Sequence, residues 1–234
     1  MVIVVKSRPL LQNLEKVGME YMQLTNSYQR TALQEYRPPW DTGPRQALGQ
    51  LVESGRLKPG RMIELGSGAA RNSIFFAKHG FEVTGVDYNP VLVNLARKKA
   101  RAEHVLANFV VDDLTNLQKV SGSFDVLVDY STFDDLKPEQ RARYVQNVLP
   151  LASTGSQFVL YCLEWTLAWW EKLTLRILSR FGFGQLVLQP GEVKHHFGEH
   201  FYIHKVAGET QEHEYPRGYA VYLMTRKASL SPSG

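Results

Sequence analysis

The stretch "IELGSGAARNSIFFAKHGFEVTGVDYNP", residues 63 to 90, joins an apolar strand, a glycine turn, a helix and a second strand that stops on a lone acid. Parallel neighbours can be connected only by a crossover, so this unit commits the chain to a parallel sheet covered by helices. The alternation continues. Candidate strands are "RMIELG", "FEVTGVD", the latter part of "HVLANFVVDD", "FDVLVDY", "SQFVLYCLEW", "YIHKVAGE" and "YAVYLMTRK". Between them lie "ARNSIFFAKHG", with Gly80 as its stop signal, "PVLVNLARKKARAE", opened by Pro90, and "KPEQRARYVQNVLP". No convincing helix separates the last two strands, which predicts an antiparallel hairpin through "TQEHEYPRG". The expected fold is α/β: a doubly wound, seven-stranded, mostly parallel Rossmann-like sheet with a terminal antiparallel hairpin.

Three further segments complete the expected organisation. Residues 1–43 read as an N-terminal helical arm ending in the stiff "RPPWDTG", and 44–228 as the main domain. Residues 165–184, "WTLAWWEKLTLRILSRFGFG", read as a helical insertion, and 229–234 as a frayed tail. In the insertion Lys172, Arg176 and Arg180 recur every four residues opposite Leu167, Trp170, Ile177, Leu178 and Phe181. A lid whose apolar, aromatic face covers a ligand site is the favoured reading, with membrane-surface contact as the alternative.

Gly66 and Gly68 let the backbone turn tightly and approach a ligand. Asp87 ends the next strand roughly twenty residues on, where nucleotide folds carry a ribose-binding carboxylate. An adenosine-bearing ligand is therefore expected. Dinucleotide folds seat a pyrophosphate at a related turn, and Ala70 could stand for their third small residue. Glu64, however, sets a carboxylate beside the turn, which disfavours a pyrophosphate and suits a cationic amino acid with a sulfonium.

The stretch resembles the cofactor motif of class I S-adenosylmethionine-dependent methyltransferases. "RNSIFFA", Arg71 to Ala77, is similar to the tellurite-resistance and thiopurine methyltransferase-like group. The resemblance extends through "FVVDDLTNL", "SFDVLVDYSTFDDL", "PGEVKHHFGEHFYIHKV" and "GYAVYLMTRK", covering most of residues 61 to 227. It implies that Gly66, Ser67 and Gly68 line the methionine part, with Glu64 beside them. It implies that Asp87 binds the ribose hydroxyls and Tyr88 lies on the adenine. Asp113, with Leu114, would receive the adenine amino group, and Asp112 would do so if the register shifts by one. Tyr130 falls where cofactor and substrate meet, and Trp40 would close over the site. The cofactor so implied is S-adenosylmethionine, released as S-adenosylhomocysteine (SAH).

Methyl transfer from a sulfonium needs an aligned nucleophile and the exclusion of water, with a base only for acceptors that must lose a proton. "VDYSTFDDL" offers Asp129, Tyr130, Ser131, Asp134 and Asp135; Tyr130 ranks first and Asp129 second as catalytic candidates, while Asp134 and Asp135 also read as caps of the next helix. His195, His196, His200 and His204 do not make a metal site. His196 and His200 would share a helical face, but His204 falls on a strand and no cysteine or carboxylate completes the set. Tyr21, Tyr28 and Tyr36 read as half-buried packing, and Tyr215 and Arg217 as a turn.

Composition sets the remaining bounds. Cys162 is the only cysteine, which excludes a disulfide framework and points to a reducing, cytoplasmic setting. The N-terminal "MVIVVKSRPLLQNLEK" lacks the flanks of a secretory signal. The formal charge of +4 is spread along the chain and favours no nucleic-acid partner. The reading that results is methyl transfer to a small, fairly apolar heteroatom nucleophile: a thiol, phenol, amine or acid. The alternatives are a nucleic-acid or protein methyltransferase, and a non-catalytic cofactor-binding or membrane-surface module.

Overall fold

The computed structural model describes residues 46–164, 187–206 and 219–228. In chain order these form α1 (Gln46–Glu53), β1 (Arg61–Leu65), α2 (Arg71–Lys78), β2 (Glu82–Asp87), α3 (Pro90–Ala102), β3 (Ala107–Val111), β4 (Phe124–Tyr130) and α4 (Pro138–Val148). A 3-10 turn at Leu149–Leu151 leads into β5 (Ala152–Leu163), followed by α5 (Glu192–Phe197), β6 (Phe201–Lys205) and β7 (Tyr219–Arg226). The expected helical arm, Trp40, the 165–184 insertion with its basic stripe, Tyr215, Arg217 and the tail lie outside the described residues.

The seven strands form one sheet in the order β3-β2-β1-β4-β5-β7-β6. Strands β1 to β5 run parallel, and β7 runs antiparallel to both β5 and β6. The strand order reverses between β1 and β4, which opens a crevice at the carboxyl ends of these two strands. Leu65 is opposite both Val86 and Asp129, and Tyr130 is opposite Tyr161. One sequence expectation shifts here. The fifth strand starts earlier than "SQFVLYCLEW": Ser153, Thr154 and Gly155 belong to it; Gly155 has φ +86, and the pairing slips between Phe124 and Val126 to absorb the extra residues.

The central strands are apolar on both faces because both are covered. On one face Met62, Val83, Val126, Val128, Val159 and Tyr161 pack with Leu48 and Leu51 of α1 and Phe76 of α2. On the other, Ile63, Leu65, Leu127, Leu160 and Cys162 pack with Tyr144 and Val148 of α4 and Phe197 of α5. Each large side chain sealed in this way adds about 1.5–3 kcal/mol of apolar burial. Helix α3 covers β3 through Val93, Ala96 and Ala100 against Phe109. Its start is as expected: Asn89 Oδ1 accepts from the Val91 N–H at 2.9 Å, and Pro90 occupies the first turn, where a missing donor costs nothing. Among the described residues no helix is long and apolar enough to cross a membrane.

Candidate cofactor site

At the crevice, β1 hands over to the glycine turn. The Gly66 and Ser67 N–H groups both donate to the Val86 carbonyl at 2.8 Å, which fastens the turn to the end of β2. Gly66 has φ +82, and a Cβ placed there would stand 2.0 Å from Thr132 Oγ1. Glycine is therefore required twice, by backbone and by space. Gly68 has φ +49 and, among the described residues, nothing within 4 Å of where its Cβ would be, which leaves room there for a ligand to approach the backbone. Ala70, the third small position, adopts φ 67 as it starts α2, a left-handed geometry that costs a non-glycine residue some strain.

Asp87 closes the turn from β2. Its Oδ2 accepts from the Gly68 N–H at 2.9 Å and its Oδ1 from the Asn89 N–H at 2.8 Å. Burial, the larger influence, pushes its carboxyl above the ordinary value, and the two N–H donors pull it back. Each oxygen keeps a further lone pair. Ser67 Oγ is buried without a hydrogen-bond partner, an orphaned hydroxyl beside Gly68. An open glycine edge, an unpartnered hydroxyl and an acceptor-only carboxylate fit the hydroxyl-rich and amine-bearing cofactor that the resemblance implies.

Glu64 does not stand beside the turn as a bare charge. It is 2% exposed; Oε1 accepts from Asn72 Nδ2 at 2.8 Å and Oε2 from the Ser73 hydroxyl, so it ties β1 to the start of α2. Burial pushes its carboxyl up to about 7, and the charge of Asp87 adds to the rise. The carboxylate expected beside the turn is therefore held by Asn72 and Ser73 at the start of α2.

The acids after β3 separate cleanly. Asp112 accepts from the Asp113, Gln118 and Lys119 N–H groups and staples its own loop. Asp113 is exposed and engages only Thr115 through Oδ1, at 2.8 Å to both its N–H and its hydroxyl. Asp112 is thus committed to structure, and the loop presents Asp113. Leu114 is buried in the core beneath them. Tyr88 is 76% exposed at the mouth; partial desolvation first, then the charges of Asp87 and Asp135, raises its phenol above the ordinary value.

At the end of β4 the two catalytic candidates part company. Asp129 is fully buried; it accepts from the Thr132 N–H at 2.8 Å, the Phe133 N–H at 3.3 Å and the Tyr144 hydroxyl. Burial pushes its carboxyl up to about 7 against those donors. It builds the turn after β4 and has no face toward a substrate, which corrects its reading as a catalytic group. Tyr130 points to the opposite side of the sheet and is half-buried. Asp134 is no helix cap either: it is buried, with Oδ2 accepting from the Leu163 N–H at 2.9 Å and Oδ1 without a partner, and burial pushes it up to about 6. Lys137, followed by Pro138, takes the cap position of α4.

Some functional geometry has no local sequence signal. Thr132 Oγ1 donates to the Leu65 carbonyl at 3.0 Å, bridging the loop after β4 to the glycine turn. Arg141, 1% exposed, reaches Glu192 at 2.5 Å and the Asp134 carbonyl at 3.2 Å, fixing α5 against α4. His195 and His196 lie on α5, but His200 falls past its end, so the shared helical face expected for His196 and His200 does not form. Among the described residues no group of three or more His, Cys, Asp or Glu is gathered for a metal.

Residues 62–155 match the family described as a methyltransferase domain. A 2-heptyl-1-hydroxyquinolin-4(1H)-one methyltransferase of Mycobacteroides abscessus is 30% identical over 131 residues, 55% of this chain and 57% of that protein. A ubiquinone biosynthesis O-methyltransferase of Coxiella burnetii is 28% identical over 101 residues, 43% of this chain and 42% of that protein. The match thus spans about half the length of these relatives or less. Among solved structures, the magnesium protoporphyrin IX methyltransferase of Synechocystis PCC 6803 with bound SAH shares the fold at a TM-score of 0.62 and 18% identity, over 91% of this chain and 99% of that one. Residues 62–155 are thus similar to that methyltransferase-domain family, and the described residues share the Rossmann-like fold of that solved methyltransferase.

Proposed function

We propose that the whole protein is an S-adenosylmethionine-dependent methyltransferase acting on a small heteroatom nucleophile in the cytoplasm, with residues 44–228 as the catalytic domain. The observation that carries this reading is the Asp87 carboxylate locked onto the Gly68 N–H at the point where the strand order reverses. The small molecules in the names of the Mycobacteroides and Coxiella relatives support a small acceptor. The "RNSIFFA" continuation supports kinship with the tellurite-resistance and thiopurine methyltransferase-like group.

In this reading the free lone pairs of Asp87 take the ribose hydroxyls, and the open edge at Ser67 and Gly68 meets the methionine part. Asp113 receives the adenine amino group, and Tyr88 covers the ring. Bound S-adenosylmethionine supplies an electrophilic methyl carbon. The protein's contribution is alignment: Thr132 and Asp129 set the β4 turn against the glycine turn, so that an acceptor held at Tyr130 stands beside the donor. An acceptor so placed would take the methyl at its heteroatom, the donor leaving as the neutral thioether and any acceptor proton passing to water.

Calorimetric titration with S-adenosylmethionine, SAH and NAD tests the proposal. Binding of the two sulfur compounds but not NAD, lost in Asp87→Ala, supports it. Binding of NAD alone, or of none of the three, overturns it.

A further inference from the structure

The loop after β4 is anchored at several points. The Thr132 and Phe133 N–H groups donate to Asp129 Oδ1 at 2.8 and 3.3 Å, which ties the loop to its own strand. The Ser131 N–H donates to the Tyr161 carbonyl at 2.7 Å, and Asp134 Oδ2 accepts from the Leu163 N–H at 2.9 Å, which tie it to β5. The Thr132 side chain crosses in the other direction, to β1, where its hydroxyl donates to the Leu65 carbonyl at 3.0 Å.

That side chain is also a wall of the glycine turn. A Cβ at Gly66 would fall 2.0 Å from Thr132 Oγ1, 3.0 Å from its Cβ and 3.1 Å from its Cγ2. Oγ1 therefore acts twice: it holds the last carbonyl of β1, and it takes up the space that a side chain would need at the next residue. Groups packed without slack transmit displacement, so neither the turn nor the loop can move toward the other without moving Thr132.

The remaining contacts of the turn run to the groups that would hold the donor. The Gly66 and Ser67 N–H groups donate to the Val86 carbonyl at 2.8 Å, and the Gly68 N–H donates to Asp87 Oδ2 at 2.9 Å. A continuous series of contacts thus leads from Asp87 through Gly68 and Gly66 to Thr132, and on to Asp129 and the Tyr144 hydroxyl of α4. Thr132 is uncharged and half-buried, so what it passes between the two segments is position rather than charge.

We infer that Thr132 is a positioning residue for the donor site: it couples the loop after β4 to the glycine turn, so that donor binding orders the loop and the loop in turn sets the affinity for the donor. The inference rests on the methyl-transfer reading and adds to it control of the site by a residue outside the glycine motif. The two effects are a single coupling free energy seen from its two ends and are therefore equal in size.

The test uses the full chain and SAH. Thr132→Val removes the hydroxyl at nearly constant shape, and Thr132→Ser keeps the hydroxyl and drops the methyl. Calorimetry is expected to show SAH binding weakened roughly tenfold in Thr132→Val, about the worth of one hydrogen bond, and by less than about threefold in Thr132→Ser. Amide hydrogen exchange supplies a readout that a merely structural role would not move. SAH should slow exchange across residues 131–134 roughly tenfold in the parent chain and in Thr132→Ser, and leave it unchanged in Thr132→Val. Val148→Ala, a core truncation on α4 away from the turn, should lower the melting temperature and keep the parent SAH affinity. Parent-like SAH affinity in Thr132→Val, an equal loss in Thr132→Ser or Val148→Ala, or loop exchange in the parent that SAH leaves unchanged would each overturn the coupling. These results leave the methyl-transfer reading standing so long as SAH binds; absence of SAH binding to the parent chain is the separate result that removes both.

Discussion

The carboxylates Asp87 and Asp129 sit at or one residue before the carboxyl end of a central strand, and both gather backbone N–H groups from the loop that follows. They differ in what surrounds them. Asp87 holds Gly68 and Asn89 at the mouth of the crevice, with lone pairs to spare. Asp129 faces the other side of the sheet, roofed by α4, and adds the Tyr144 hydroxyl to its two N–H groups. The same residue type at nearly the same place on a strand thus keeps lone pairs at the crevice in one case, where the proposed donor would sit, and clamps a loop in the other. Which face the side chain takes decides the matter.

The largest effect should come from Asp129→Ala. It strands two N–H groups and a buried hydroxyl, and unfolding in urea should show a loss on the order of 4 kcal/mol. A loss below about 1 kcal/mol accompanied by dead enzyme would instead make Asp129 a chemical group and erase the contrast. Asp87→Ala comes next. Its S-adenosylmethionine affinity should fall roughly 100-fold by calorimetry, with a smaller loss of stability than the Asp129 variant shows.

A third comparison is made by pH. Glu64 is raised from 4.5 to about 7 and Asp129 from 3.8 to about 7, with burial the first cause of each. A carboxyl raised on folding stabilises most below its unfolded value, and that contribution is lost as pH rises through the folded one. The stability of the parent chain relative to Glu64→Gln should therefore decline between pH 4.5 and about 7, by on the order of 2 kcal/mol. Thermal melts across that window check it, and a difference independent of pH would show that Glu64 is ionised in the fold. The smallest effect separates the neighbours after β3. Asp113→Asn should weaken cofactor binding about fivefold and leave the melting temperature alone, and Asp112→Asn should lower the melting temperature instead. The reverse pattern would exchange their roles.

Much of this architecture was legible in the sequence. Strand endings at Leu65 and Asp87, the helix start at Pro90 and the final hairpin follow from apolar runs, glycine and proline. The distinction between Asp129 and Tyr130 was not, because β4 is buried on both faces. Where Val126, Leu127 and Val128 are all apolar, period-two alternation carries no signal to say which side is which. Asp134 was legible and misread: Pro138 fixes the first turn of α4, which puts Asp134 too far upstream to cap it. The Thr132 bridge joins residues 67 positions apart and leaves no local trace.

That bridge bears on how the protein is assembled. The glycine turn is closed by Val86 and Asp87 at the end of β2, yet the threonine that fills the space beside it arrives only with β4. A chain synthesised as far as β3 holds every motif residue of the turn and lacks the partner that completes its packing. Contacts so distant in sequence form late and at an entropic cost. The packing around Gly66 is therefore complete only once β4 and the loop after it are in place, and a fragment carrying the glycine signature alone lacks it.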